Sequence, residues 1–143
     1  MVLGAAGLIR GAVPQSLAAG GGAAPTQPIV VSNAYVTPPF PPSRNAAAYF
    51  TVTNTTGRPD RLESVVSGAS PEAVLHVTVN GSMQVPADGV VIPANGRLVL
   101  SVGHGHVMIE NVFGTLRVGD NVNLTLTFQN AGDVEVNAPV RRP

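Results

Sequence analysis

The chain has 143 residues, a formal net charge of zero and only 11% charged residues. This length predicts one domain, and the balanced charge provides neither a basic surface for nucleic acid nor an acidic tail. The absence of cysteine excludes a disulfide framework and predicts no lipid anchor on an N-terminal cysteine. No run of about twenty apolar residues occurs, so we expect no membrane span.

Residues 1–28 are rich in Ala and Gly and are predicted to be a flexible leader. Val2 to Ile9 has the composition of the apolar part of an export signal, and Ser16 to Ala18 that of a cleavage site. The basic segment that normally opens such a signal is missing, so a leader without an export role is an equal alternative. We expect the folded domain to span residues 29–140 and residues 141–143 to be a solvated tail.

Short alternating runs, rich in Val and Thr and separated by Gly, Pro and Asn, predict about eight β-strands and no helix. The longest are Ile29 to Val36, Ala46 to Asn54, Leu62 to Val66, Val74 to Val79, Arg97 to Val102 and Val122 to Phe128. Regular spacing of this kind is typical of an all-β antiparallel β-sandwich or a Greek-key barrel. The pattern alone does not give the strand order.

The side chains able to bind a soft metal are concentrated in one window, residues 75–108. The window contains every histidine of the chain and every methionine except the initiator, namely His76, Met83, His104, His106 and Met108. Chance placement of all five in so short a stretch is a poor explanation, although any one of them alone would be unremarkable on a strand.

A hairpin signal lies beside two of these residues. Asn80-Gly81, between two alternating runs, is the strongest short marker of a two-residue type I′ turn. Such a turn pairs Thr78 with Met83, and paired residues share a face of the sheet. Because residues two apart on a strand also share a face, His76 and Met83 are expected to point the same way.

The same alternation applies to the second half of the window. His104, His106 and Met108 are predicted on one face of a strand, with Val107 and Ile109 on the opposite face. The apolar residues would then face a core, and the histidines and methionines would face away from it.

These ligand types indicate copper. A thioether is a soft, neutral donor that selects Cu(I), and imidazole binds copper in either oxidation state, Cu(I) or Cu(II). Hard cations would need carboxylates, of which this window has few. A structural zinc site usually includes cysteine, so Zn(II) could be held only through His76, His104 and His106.

Several segments together resemble one family. LHxTV at Leu75 to Val79, HxM at His106 to Met108, and VGDNVNLTLTF at Val118 to Phe128 are similar to the PCuAC family of periplasmic Cu(I) chaperones, as is Val31 to Asn54. The resemblance implies a cupredoxin-like antiparallel β-sandwich with a Greek-key topology. It also implies a Cu(I) site on the sandwich surface, formed by His76, Met83, His106 and Met108.

The resemblance implies a chaperone and not an enzyme. Such a protein would carry Cu(I) to an acceptor such as the copper centre of cytochrome c oxidase or a partner chaperone. We expect a monomer located outside the cytoplasm, in the periplasm, in the cell envelope or secreted.

The sequence departs from the family pattern in three places. The interval between His76 and Met83 is shorter, although the hairpin pairing restores their common face. Gly105 stands where an aromatic residue is common, which predicts a more open site. His104 is an additional imidazole, suited to Cu(II) or to exchange with another ligand.

Other functions find less support in the residues. Ser82, His76 and Asp88 lie in the window but fit no recognised hydrolase setting. Two alternatives remain open from the sequence. One is a β-sandwich protein-interaction module without a metal, and the other is a histidine-based Cu(II) or Zn(II) buffer.

Overall fold

A computed structural model describes residues 28–143, so the predicted leader lies, except for Pro28, outside the described residues. The described part of the chain forms ten β-strands and no helix that could cross a membrane. The strands are β1 Ile29–Thr37, β2 Ala46–Asn54, β3 Asp60–Ser67, β4 Glu72–Val79, β5 Ser82–Gln84, β6 Val90–Ile92, β7 Arg97–Leu100, β8 Gly105–Glu110, β9 Asn121–Phe128 and β10 Gly132–Pro139.

The strands form two sheets. The six-stranded sheet has the order β1-β2-β8-β4-β5, with β7 also paired to β2, and the four-stranded sheet has the order β10-β9-β3-β6. The named strand pairs are antiparallel. Consecutive strands such as β2 and β3 often lie in different sheets, so the chain crosses repeatedly between the layers. The prediction of an all-β antiparallel sandwich is confirmed.

The core lies between the sheets and fixes which way each strand faces. In β2 and β8, buried and half-buried residues alternate, as expected for strands with one covered face. Burial of each large apolar side chain stabilises the fold by about 1.5–3 kcal/mol. The largest buried side chains include Phe50, Val52, Val107 and Ile109 from one sheet and Leu62, Leu124, Leu126 and Phe128 from the other.

Strand β1 contains a bulge. Between Ser32 and Tyr35 the chain advances by one residue more than its partner strand, so Asn33 and Ala34 interrupt the pairing. Asn33 has a positive φ of 55°, which few residues other than Gly and Asn adopt easily. The extra residue reverses the alternation, so that Val36 is fully buried and Tyr35 lies on the outer face of the sheet.

Asn54 joins two loops, β2–β3 and β6–β7, at one end of the sandwich. The residue is only 1% exposed. Its side-chain amide donates to the carbonyls of Arg58, Ile92 and Pro93, and its Oδ1 accepts from the backbone and hydroxyl of Thr56. These bonds satisfy polar groups that are otherwise costly to bury.

Asn54→Ala should lower the free energy of unfolding by about 2–3 kcal/mol, because it leaves buried carbonyls without donors. Urea unfolding would measure the loss. The exposed Asn137→Ala on β10 is the matched control and should have an effect within about 0.5 kcal/mol. Equal effects of the two substitutions would contradict the role of Asn54.

Candidate metal site

The pairing of β4 with β8 brings the first candidate ligands together. His76 lies directly opposite His106, and Val74 lies opposite Met108. Between these pairs, Leu75 lies opposite Val107, and both are buried. The histidines and Met108 therefore lie on the outer face of the six-stranded sheet, as the alternation predicted.

The two imidazoles face each other across this strand pair. His76 Nδ1 lies 3.3 Å from His106 Nε2. The ring centroids are 5.1 Å apart, and the planes are nearly perpendicular at 85°. Two nitrogens bound to one tetrahedral ion by bonds of about 2.0–2.1 Å, the zinc–imidazole length, would be about 3.3–3.4 Å apart. The observed separation therefore fits two ligands of a single ion.

Met83 lies on the neighbouring edge strand. It is paired with Thr78, as predicted, and the turn residues Asn80 and Gly81 have φ values of 52° and 82°, as a type I′ turn requires. Since Thr78 and His76 share a face, Met83 lies on the same outer face as the histidine pair. Its side chain is 51% exposed.

The strand prediction for His104 is wrong. Strand β8 begins at Gly105, and His104 lies in the preceding turn. Its side chain is exposed, and its Nδ1 is 3.1 Å from Ser101 Oγ. Within residues 28–143, no group of three or more His, Cys, Asp or Glu side chains is arranged to hold a metal ion.

The environment of His106 favours its neutral form. Burial lowers the pKa of His106 below the ordinary histidine value of 6.5, and the nearby His76 lowers it further. A metal binds the deprotonated nitrogen of imidazole. His106 is therefore available as a ligand at neutral pH.

Gly105 is buried on the core side of β8 and has no room for a side chain. A Cβ placed there would lie 2.9 Å from the carbonyl oxygen of His76 and 3.1 Å from Leu100 Cδ2. The residue also has a φ of 150°, which side chains rarely allow. The glycine is needed for the close approach of β4 and β8 just before the histidine pair.

Sequence reasoning missed the aromatic neighbours of the site. The Tyr49 ring on β2 lies 6.2 Å from the ring of His106, and it stacks on Tyr35 at 5.1 Å. Burial raises the pKa of Tyr49, and Tyr35 raises it further, which keeps the phenol neutral. Tyr49 alternates with the buried Phe50 and therefore faces outward, but only the pairing of β2 with β8 shows that it lies beside His106.

Comparison with known proteins shows the family to which the chain belongs. The family model described as "Putative lipoprotein LpqE-like" matches residues 29–140. The chain belongs to this LpqE-like family, which is a PCuAC-like family. A relative, "Putative lipoprotein Lxx21020" of Leifsonia xyli subsp. xyli (strain CTCB07), is 32% identical over 99 residues. The alignment covers 66% of this chain and 60% of the relative's length.

Solved PCuAC structures share the fold of this LpqE-like chain. The copper-bound PCuAC domain from PmoF2 is 27% identical with a TM-score of 0.70, over 81% of this chain and 94% of that domain. The solution structure of apo-DR1885 from Deinococcus radiodurans is 30% identical with a TM-score of 0.64, over 90% and 89% of the two chains. The CuI-DR1885 structure is 29% identical with a TM-score of 0.65, over 78% of each chain.

Gly105→Ala should destabilise this LpqE-like domain by about 1–3 kcal/mol, because the new methyl group meets the His76 carbonyl in a strained conformation. Thermal unfolding would measure the effect. Gly103→Ala is the matched control, since Gly103 also has a positive φ, of 88°, but has no atom within 4 Å of the added Cβ. If Gly103→Ala costs as much as Gly105→Ala, close approach is not the reason for the glycine.

Proposed function

We propose that this chain is a copper chaperone that binds Cu(I) through His76, Met83, His106 and Met108 and delivers it to an acceptor protein. The observation that carries the proposal is the 3.3 Å separation of His76 Nδ1 and His106 Nε2 on a face that also bears both methionines. These two nitrogens are the ligating atoms in our proposal. Copper-bound relatives of the same fold, PmoF2 and CuI-DR1885, support it.

The donor set suits Cu(I) better than other ions. Two imidazoles and two thioethers are neutral, so the loaded site keeps the single positive charge of the ion. Thioethers select Cu(I) over harder cations, and Cu(II) would prefer a tetragonal set of nitrogen and oxygen ligands. Because no anionic ligand has to be released, the ion can be handed on without separating opposite charges.

Transfer proceeds by ligand exchange at the exposed side of the site. Met83 lies on the three-residue edge strand β5 and is half exposed, whereas His106 and Met108 lie on the inner strand β8. An acceptor ligand can therefore reach the ion from the Met83 side and replace this thioether first. The remaining ligands leave as the acceptor completes its own coordination.

The acceptor in this proposal is the copper centre of cytochrome c oxidase or a partner chaperone for it, and the protein carries copper rather than using it in catalysis. The location is outside the cytoplasm, which is supported by the lipoprotein descriptions of the family and of the Leifsonia relative. The chain spans about 60% of that relative's length. The acceptor and the location are accordingly proposals.

The purified protein should bind one equivalent of Cu(I) when titrated under reducing conditions against a chromogenic chelator. Met108→Ala should weaken binding at least about tenfold, since changes even outside the ligand shell cost about 10–100-fold in metal affinity. Val85→Ala, at an exposed apolar residue next to β5, is the control and should leave the affinity unchanged.

Failure of the parent protein to compete with the chelator would reject the Cu(I) proposal. Tight binding of Cu(II) or Zn(II) in its place would indicate the histidine-based buffer. No binding of any of these metals would indicate the protein-interaction module.

Cu(I) affinity should fall as the pH falls through the range in which the ligand histidines take up protons. Protons compete with the metal for imidazole nitrogen, so each protonated ligand costs about tenfold in affinity per pH unit. Because the pKa of His106 is lowered from 6.5, the loss of affinity caused by protonation of His106 should occur below pH 6.5. Chelator competition from pH 7.5 to pH 5, corrected for protonation of the chelator, would measure the profile. An affinity that does not change over this range would contradict imidazole ligation.

A further inference from the structure

A row of rings crosses the outer face of the six-stranded sheet and ends at the copper site. The guanidinium carbon of Arg141 lies 3.8 Å from the centroid of the Tyr35 ring. Tyr35 stacks on Tyr49 at 5.1 Å with an interplanar angle of 29°. Tyr49 lies 6.2 Å from His106, and His106 lies 5.1 Å from His76. We call Tyr35 and Tyr49, together with the Arg141 guanidinium that covers the Tyr35 ring, the aromatic row.

The backbone is shaped to build this row. Without the β1 bulge at Asn33, the alternation of β1 would direct Tyr35 toward the core. Bulges often re-aim a side chain next to a functional site. Arg141 is also fixed, because its N–H donates to the carbonyl of Val36 at 2.8 Å and Val140 forms a bridge with Val36. Main-chain structure therefore fixes both the direction of Tyr35 and the position of Arg141 beside it.

The row covers one flank of the proposed ligand His106. His76 contacts His106 from β4, and Tyr49 adjoins it from β2 on the other side. The apolar surroundings of a metal site control solvent access and thereby its redox potential. Cu(II) prefers a tetragonal set of nitrogen and oxygen ligands, which water could complete. The ring of Tyr49 lies on the flank of His106 from which such a water would approach.

We propose that Tyr49, backed by Tyr35, is a positioning residue that holds the His106 ring toward His76 and favours Cu(I) over Cu(II) by excluding water. This inference rests on the proposed function, because it assumes copper at the histidine pair. It adds a determinant of oxidation-state preference that is not itself a ligand.

The test compares the affinities for Cu(I) and for Cu(II) in the parent, Tyr49→Ala and Tyr49→Phe. Tyr49→Ala should lower the ratio of Cu(I) to Cu(II) affinity at least tenfold, which corresponds to a reduction potential lower by about 59 mV for one electron. Tyr49→Phe keeps the ring and should retain the parent ratio. Thr51→Ala is the control, because Thr51 lies on the same strand and face but is paired with Val99.

Intrinsic fluorescence provides a second readout. Tyr35 and Tyr49 are the only two tyrosines of a chain without tryptophan, so all tyrosine emission comes from the row. Copper loading should change the emission of the parent and of Tyr35→Phe, which keeps the ring adjacent to His106 as the emitter. The change should be much smaller in Tyr49→Phe, where the remaining tyrosine lies one ring further away.

Three outcomes separate the two proposals. A parent that binds no Cu(I) rejects the proposed function and this inference with it. A parent that binds Cu(I), with Tyr49→Ala weakening both oxidation states equally, overturns this inference alone. If Tyr49→Ala does not fold, Tyr35→Ala replaces it and should lower the same ratio by a smaller factor, while an unchanged ratio in that variant would overturn the inference.

Discussion

The register between β4 and β8 is the constraint on which the site depends. Side chains on a strand alternate with a period of two, so a slip of β4 by one residue would turn His76 toward the core and away from His106. The apolar pairs Leu75–Val107 and Ala73–Ile109 resist such a slip, because their burial is lost with it. Core packing on one face thus fixes the distance between two nitrogens on the other.

Features set by local chemistry could be predicted from the sequence. The alternation around His106 and Met108 predicts that both side chains face outward, because the neighbouring Val107 and Ile109 must be buried. The Asn80-Gly81 turn gave the pairing of Thr78 with Met83, because few residue pairs allow two successive positive φ values. The all-β class followed from similar short-range signals.

Features that depend on distant pairing or unusual backbone could not be predicted in this way. The place of β2 beside β8 brings Tyr49 to His106, although more than fifty residues separate them in the chain. The extra residue at Asn33 reverses which residues of β1 face the core, although the sequence of this strand shows no sign of a bulge. His104 lies outside the strand because the chain turns just before it: the His104 N–H donates to the carbonyl of Ser101, and Gly103 has a φ of 88°, which the alternation does not reveal.

The two-residue turn between β4 and β5 also restricts how the length of this hairpin can vary in evolution. Adding or removing one residue between His76 and Met83 would turn the thioether toward the opposite face, whereas a change of two residues, one in each strand, would keep it on the face of His76. Viable insertions and deletions here should therefore come in even numbers. For that reason the short spacing in this chain still leaves His76 and Met83 on one face of the sheet.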